Sequence, residues 1–297
     1  INGSNVVNAL KNTYRYDFIN GTFEIAEGSE IMITSLQIPY SWFNITARNN
    51  NNTFRFYWPT GSNTYNQFTI TLPDGFYTTT SLNAFIQGFC VTNGLYLIEN
   101  STQNNIYYIN VLFNPTYYAN QIILKPVPTV IPAGYTAPAN WAGYPTVSRT
   151  PYIEILSTNN FGKFLGYTTG NYGINSTSSY SGNSNQTPVG STVNSLIIRC
   201  SLVNNNVSSQ TDVVDAFAIN GDFGRNLNFN NNIEKWIKLN AGRYSSFTVS
   251  IVDQNMEDIQ ILDSNILINF IVRRGFCSII RLFSHIFLTN STNFRLI

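Results

Sequence analysis

Histidine is almost missing from this chain: one residue in 297, His285, near the C-terminal end. A Ser-His-Asp or Cys-His active site would have to form around it, and no Gly-x-Ser-x-Gly elbow exists to present a nucleophile. Charge is scarce too. Charged side chains make up 10 % of residues, 16 basic against 15 acidic, for a net charge of +1, where ordinary domains carry about a quarter. That balance removes the electrostatic footprint of a general nucleic-acid binder. The three cysteines, Cys90, Cys200 and Cys277, lie far apart with no paired short spacing. This excludes a disulfide framework and a zinc ribbon, and fits reduced thiols in a reducing compartment. The first residues are polar and offer no apolar signal segment, and no run approaches the roughly 20 apolar residues of a bilayer span. Gly-rich phosphate loops and fixed-period repeats are missing as well.

What stands in place of charge is asparagine, 43 residues or about one in seven. An AT-rich genome would inflate Asn, Ile, Tyr and Phe together, but lysine should rise with them. It is confined to Lys11, Lys125, Lys163, Lys235 and Lys238. The alternative is a low-charge surface that tolerates dense packing against copies of itself, since low charge lowers the barrier to association. Asn-x-Ser/Thr sequons, as at Asn20, Asn44, Asn51, Asn100, Asn175 and Asn206, are expected by chance in such a composition. Aromatic residues, 14 % of the chain, are too abundant for disorder.

Strand signals dominate: short runs of β-branched and aromatic residues, alternating with polar ones and bounded by Asn, Gly and Pro. The pattern predicts strands at 22–26, 31–40, 53–58, 67–72, 106–113, 121–125, 152–156, 195–202, 213–220, 246–252 and 266–272. Helix is expected at 79–89, where Thr80 or Ser81 can cap a face of Leu82, Phe85, Ile86 and Phe89, and as a single turn at 159–165. Many short strands without helical alternation read as an all-β sandwich or barrel. Long irregular stretches at 126–151 and 168–192 point to a sizeable insertion at about 78–190. Residues 1–20 read as an N-terminal arm, 21–272 as the sandwich, and 273–297 as a basic, apolar tail in which Arg273, Arg274, Arg281, His285 and Arg295 lie among Phe276, Ile279, Ile280, Leu282, Phe283, Ile286 and Phe287.

Few constellations carry chemistry. Asp253, Glu257, Asp258 and Asp263 could pair as glycosidase carboxylates or gather a hard cation. Their place between two strong strand signals, 246–252 and 259–262, favours the solvated tip of a hairpin. Tyr40, Trp42 and Phe43, or Phe54, Phe56, Tyr57 and Trp58, could line a sugar-binding face, although alternation favours a core role for at least one face. No catalytic, cofactor or metal residue is assigned, and the chain is not expected to be an enzyme.

Ser35-Leu36-Gln37-Ile38-Pro39-Tyr40-Ser41-Trp42-Phe43-Asn44-Ile45, Asn52-Thr53-Phe54, and Leu72-Pro73-Asp74-Gly75-Phe76-Tyr77-Thr78 leading into Ser81-Leu82-Asn83-Ala84-Phe85-Ile86 come in order. They are followed by Asn159-Asn160-Phe161-Gly162-Lys163-Phe164-Leu165-Gly166-Tyr167, Ser195-Leu196-Ile197-Ile198-Arg199-Cys200 and Phe247-Thr248-Val249-Ser250-Ile251-Val252-Asp253-Gln254-Asn255. The ordered set, over 21–272, resembles the penton (minor capsid) proteins of Sputnik-type virophages and Polinton-like elements. The tail departs from that pattern.

The resemblance implies a single jelly-roll β-sandwich with an outward insertion and one short helix. It also implies homopentamers that close the five-fold vertices of an icosahedral capsid and contact the major capsid protein, in virions assembled in the host cytoplasm. Tyr14, Tyr16 and Phe18 of the arm and Trp141 and Tyr144 of the long loop are the candidate interface residues. The insertion is a candidate contact for a host-surface glycan or receptor, and the tail for packaged DNA or a membrane. The rival expectation is a carbohydrate-binding jelly roll, a lectin or receptor-binding protein, with exposed aromatics in a cleft.

Overall fold

A computed structural model describes residues 1–230 and 233–274. The tail expected at 273–297, with His285 and Cys277, lies outside the described residues except for Arg273 and Arg274. The chain divides into two compact units, the first made of Ile1–Tyr40 with the described residues from Ser195 onward, the second of Ser41–Asn194.

The first unit opens with a turn of 3-10 helix at Gly3–Asn5, then β1 (Thr13–Asp17), β2 (Phe23–Ile25) and β3 (Glu30–Pro39). The second unit carries β4 (Thr53–Pro59), β5 (Tyr65–Thr71), α1 (Thr79–Thr92), β6 (Tyr96–Glu99), β7 (Asn105–Tyr107), β8 (Ile109–Asn114), β9 (Ala119–Leu124), β10 (Tyr135–Thr136), β11 (Tyr152–Ile155), α2 (Phe161–Leu165), β12 (Gly170–Tyr172) and β13 (Tyr180–Asn183). The chain then returns to the first unit with β14 (Ser195–Cys200), β15 (Val213–Ala218), β16 (Asn226–Asn230), β17 (Ile237–Lys238), β18 (Gly242–Tyr244), β19 (Ser246–Val252) and β20 (Leu267–Arg273). The segment expected as an insertion, 78–190, lies inside the second unit, which also takes in β4 and β5.

The first unit is an antiparallel sandwich of the jelly-roll type. One sheet runs β1-β19-β14-β15; in the other, β3 is flanked by β16 and β17 on one side and β20 on the other. The sheets meet through aromatic pairs, Phe217 to Phe229 at 5.0 Å and Phe247 to Phe270 at 6.5 Å between ring centroids. Strand β3 shows how sequence becomes packing. Its buried apolar residues are Ile31 and Ile33 in one half and Leu36 and Ile38 in the other, a change of parity that a plain strand cannot produce. Pairing with β20 steps from Ser35 to Ile33, so Thr34 is the extra residue of a β-bulge. The bulge resets alternation and lets both halves bury their apolar side.

In the second unit, alternation along β4 buries Phe54, Phe56 and Trp58 and leaves Arg55 and Tyr57 on the other face, beside Glu154 of β11. Helix α1 is capped by Thr78, two residues ahead of Thr80, the first of the expected caps. The Ser81 amide donates to the Thr78 hydroxyl oxygen at 3.1 Å, and the Thr78 amide to the Ser81 hydroxyl oxygen at 2.9 Å, a reciprocal box that satisfies two otherwise unpaired donors. Leu82, Ile86 and Cys90 form its buried stripe.

Loops are stitched by buried amide side chains. Asn44 accepts from the Tyr77 amide at 2.8 Å and donates to the carbonyls of Tyr77 and Gly190 at 2.8 and 2.7 Å. Asn51 accepts from the Thr46 amide and donates to the Asn44 carbonyl, and Asn120 donates to the Leu165 carbonyl.

Candidate interaction surface

The residues expected as an arm carry β1, an edge strand that pairs along its whole length with β19. Tyr14 and Tyr16, two residues apart, share one face of β1 and differ in how deeply they are covered. Tyr14 points inward with no exposure, and its hydroxyl donates to the Lys11 carbonyl, so it belongs to the core of its unit. Tyr16 faces its register partner Phe247 across the sheet at 5.6 Å. The Phe18 amide donates to the Ser245 carbonyl at 2.9 Å, which holds the residue just past the strand. Its ring then stacks on Phe23 at 5.1 Å and lies 5.7 Å from both Tyr16 and Phe247.

Tyr16, Phe18 and Phe247 are half-buried and Phe23 is exposed. Together they form a continuous aromatic patch. Its charged neighbours, the Arg15 to Asp17 and Arg243 to Glu24 pairs, are exposed and of the kind that contributes little. Such a patch offers apolar area and π-faces, the kind of surface that aromatic anchors supply in association interfaces.

Trp141 and Tyr144 are half-buried in the second unit, where their rings lie 5.0 Å apart and Trp141 meets the buried Trp58 edge-on at 5.7 Å. The structure thus brings Tyr16 and Phe18 together in one unit and Trp141 and Tyr144 together in the other. Sequence reasoning missed Phe23 and Phe247, which alternate in their strands but reveal a patch only once cross-strand register is known.

The aromatics weighed as a sugar face are mostly core: Tyr40, Trp42, Phe54, Phe56 and Trp58 are buried. Exposed aromatics occur instead around a cavity of about 350 Å³ in the second unit, where Phe113 and Tyr118 from the β8 to β9 hairpin face Tyr77, Asn120 and Phe164.

The acidic run 253–263 serves structure. Asp253 is buried, and its carboxylate accepts the amides of Asn255 and Glu257, each at 2.8 Å. Asp258 accepts from the Asn12 side chain at 2.9 Å. The expected partner strand at 259–262 does not form. Ile259 and Ile261 are buried there, and the Ile261 amide donates to the Leu10 carbonyl instead. Among the described residues no group of three His, Cys, Asp or Glu side chains could hold a metal.

Burial pushes the Cys90 thiol up to about 12 and that of Cys200 up to about 11. It also raises the hydroxyls of Tyr14, Tyr108 and Tyr167 well above the ordinary tyrosine range. Unfolded thiols ionise near about 8.5 and tyrosines near about 10. For acids whose folded value is raised, the stability is complete below the unfolded values and is lost as pH climbs through them toward the folded ones. The urea midpoint should hold level from about pH 6 to 8 and fall steadily above about pH 9. Cys90 and Cys200 should resist iodoacetamide at pH 8 in the folded chain; ready labelling, or a midpoint that rises with pH, would contradict the burial described.

No protein-family model matches the chain, and no curated protein does. Among solved structures it is similar to the mavirus penton protein, crystallised in selenomethionine form, with 10 % identity and a TM-score of 0.43 over 89 % of this chain and 91 % of that one. It is also similar to a chain in the cryo-electron-microscopy structure of the Sputnik virophage, with 10 % identity and a TM-score of 0.34 over 88 % of this chain and 97 % of that one.

Proposed function

We propose that this chain is a structural protein of a virion, a penton whose five copies close an icosahedral vertex and meet the major capsid protein around it. The observation that carries the reading is the half-exposed aromatic patch of Tyr16, Phe18, Phe23 and Phe247 on a sandwich with few charges. A closed five-fold ring uses a heterologous interface, one face of each subunit against a different face of the next. Flanks with few charges suit it because little charge must be desolvated, and aromatic anchors concentrate the binding energy.

Tyr16 and Phe18, with Trp141 and Tyr144, are the assigned contacts; Tyr14 supports them from the core. The buried, reduced thiols fit assembly in the host cytoplasm. In the same reading, the cavity beside Phe113 and Tyr118 is where a host-surface glycan or receptor would sit.

Light scattering coupled to size exclusion, with and without the major capsid protein, tests the proposal. Wild-type protein should form pentamers or co-assemble. Phe18→Ala combined with Phe23→Ser should weaken association by about tenfold or more, the effect of removing interface anchors. A chain that stays monomeric at high concentration and ignores the major capsid protein sinks the reading, as would a double variant that assembles like wild type.

A further inference from the structure

We propose that Asn220 is a self-modification site, where the Gly221 backbone nitrogen attacks the side-chain carbonyl and the asparagine becomes a mixture of aspartate and isoaspartate. The chemistry is internal to the chain and needs only water. The Gly221 nitrogen loses its proton and bonds to Cγ of Asn220, the Cγ–Nδ2 bond breaks, and the released nitrogen takes up the proton and leaves as ammonia. Water then opens the five-membered imide at either carbonyl. Opening at the side-chain carbonyl gives aspartate, and opening at the backbone carbonyl gives isoaspartate. A following glycine permits the attack because it has no β-carbon to crowd the ring.

The sequence holds four Asn-Gly steps, at Asn2, Asn20, Asn93 and Asn220, and the first three are fastened. The Asn2 side-chain oxygen accepts from the Ser4 amide at 3.0 Å and from its hydroxyl at 2.6 Å, as the cap of the first 3-10 turn. The Gly21 amide donates to the Phe18 carbonyl at 2.9 Å. The Gly94 amide donates to the Val91 carbonyl at 3.3 Å, and the Asn93 side chain to the Phe89 carbonyl at 2.9 Å. An amide so engaged must give up its bond before its nitrogen can attack, and a carboxamide so engaged must leave its partner to meet the nitrogen.

At the fourth step both reacting groups are loose. Asn220 and Gly221 are exposed, and among the described residues nothing hydrogen-bonds the Gly221 amide or the Asn220 side chain. They follow β15, which ends at Ala218. The rest of the loop is held. The Gly224 amide donates to the Tyr40 carbonyl at 2.9 Å, the Tyr40 amide donates to the Arg225 carbonyl at 2.8 Å, and the Tyr40 ring meets Phe223 edge-on at 5.8 Å. The extra backbone methylene of isoaspartate therefore falls in the part of the loop that has slack. Conversion also adds a carboxylate two positions before Asp222. With 16 basic and 15 acidic residues, one more acid takes the net charge of the chain from +1 to zero, the condition that favours association. The inference is independent of the virion reading, since it rests on the loop alone.

The test incubates the full chain at mildly alkaline pH, folded in buffer and unfolded in urea, and follows all four steps by peptide mass spectrometry with isoaspartate detection. In urea the four should convert at similar rates. In the folded chain Asn220 should convert about tenfold or more ahead of the other three, the scale of the hydrogen bonds that those steps must break. Ion exchange of the folded chain should show one acidic step growing in parallel. Asn220→Gln, whose longer side chain would have to close a six-membered ring, should remove that step. Conversion as fast at Asn2, Asn20 or Asn93 overturns the proposal, and so does a folded Asn220 still intact when the urea sample has converted. A Gln variant that develops the same acidic step overturns it as well.

Discussion

Phe161→Ala should cost the second unit about 3–5 kcal/mol, the range for emptying a buried phenylalanine site. The ring has no exposure and stacks on Phe54 at 4.7 Å with the planes 7° apart, while Phe164 flanks it at 6.2 Å. Partial collapse is the usual relief for a cavity, and here it is restricted. The neighbouring Gly162 lies so close to Ile155 and to the Tyr167 carbonyl that a β-carbon would sit 2.7 and 2.4 Å from them, so α2 has little room to shift. The Phe161 amide is also held by the Asn159 side chain at 3.1 Å. Urea unfolding followed by fluorescence reads this loss directly, since Trp42, Trp58 and Trp141 all lie in the same unit. A loss below about 1 kcal/mol would mean that the site refills, against the packing described.

Gly94→Ala should cost about 3 kcal/mol or more, the scale of a forced backbone movement added to a strained dihedral. Gly94 ends α1 with φ at +66°, and a β-carbon there would lie 1.9 Å from the Asn140 carbonyl oxygen. The obstacle is backbone and cannot rotate away. That backbone is also fastened, since the Ala142 amide donates to the Gly94 carbonyl at 3.1 Å and the Asn140 side chain to the carbonyls of Val91 and Thr92. Gly134 provides the comparison, with φ at +85° and nothing within 4 Å of its missing β-carbon. Gly134→Ala should show the dihedral penalty alone, about 1 kcal/mol. Equal losses at the two positions would show that close approach contributes nothing at Gly94.

These positions also show where the sequence was readable. Alternation in Phe54-Arg55-Phe56-Tyr57-Trp58 gave both a strand and its buried face, and the regular spacing of Leu82 and Ile86 gave the inner side of α1. The cap was harder. Thr78, Thr79, Thr80 and Ser81 are all able to cap, and the deciding factor is that only Thr78 has Ser81 three residues on to return the bond. β12 and β13 lie in a stretch of Ser, Asn, Gly and Tyr whose side chains bury little, so no apolar period marks them. Ile259 and Ile261 have the period of a strand yet are buried without a ladder, because the Leu10 carbonyl takes the amide that a strand partner would have taken. In the aromatic patch, Tyr14 and Tyr16 look alike in sequence. They share one face of β1, and how far distant neighbours such as Phe247 of β19 cover each separates core from surface.

Asparagine's abundance gains a mechanical meaning from Asn44, Asn51 and Asn120. Each side chain acts as a spare peptide group, donating and accepting at once and joining strands of backbone that have no ladder in common. Such a joint has no proton to lose near neutrality and no charge for dissolved ions to screen. The loops of the second unit are therefore fastened by couplings that hold equally well in dilute buffer and in concentrated salt.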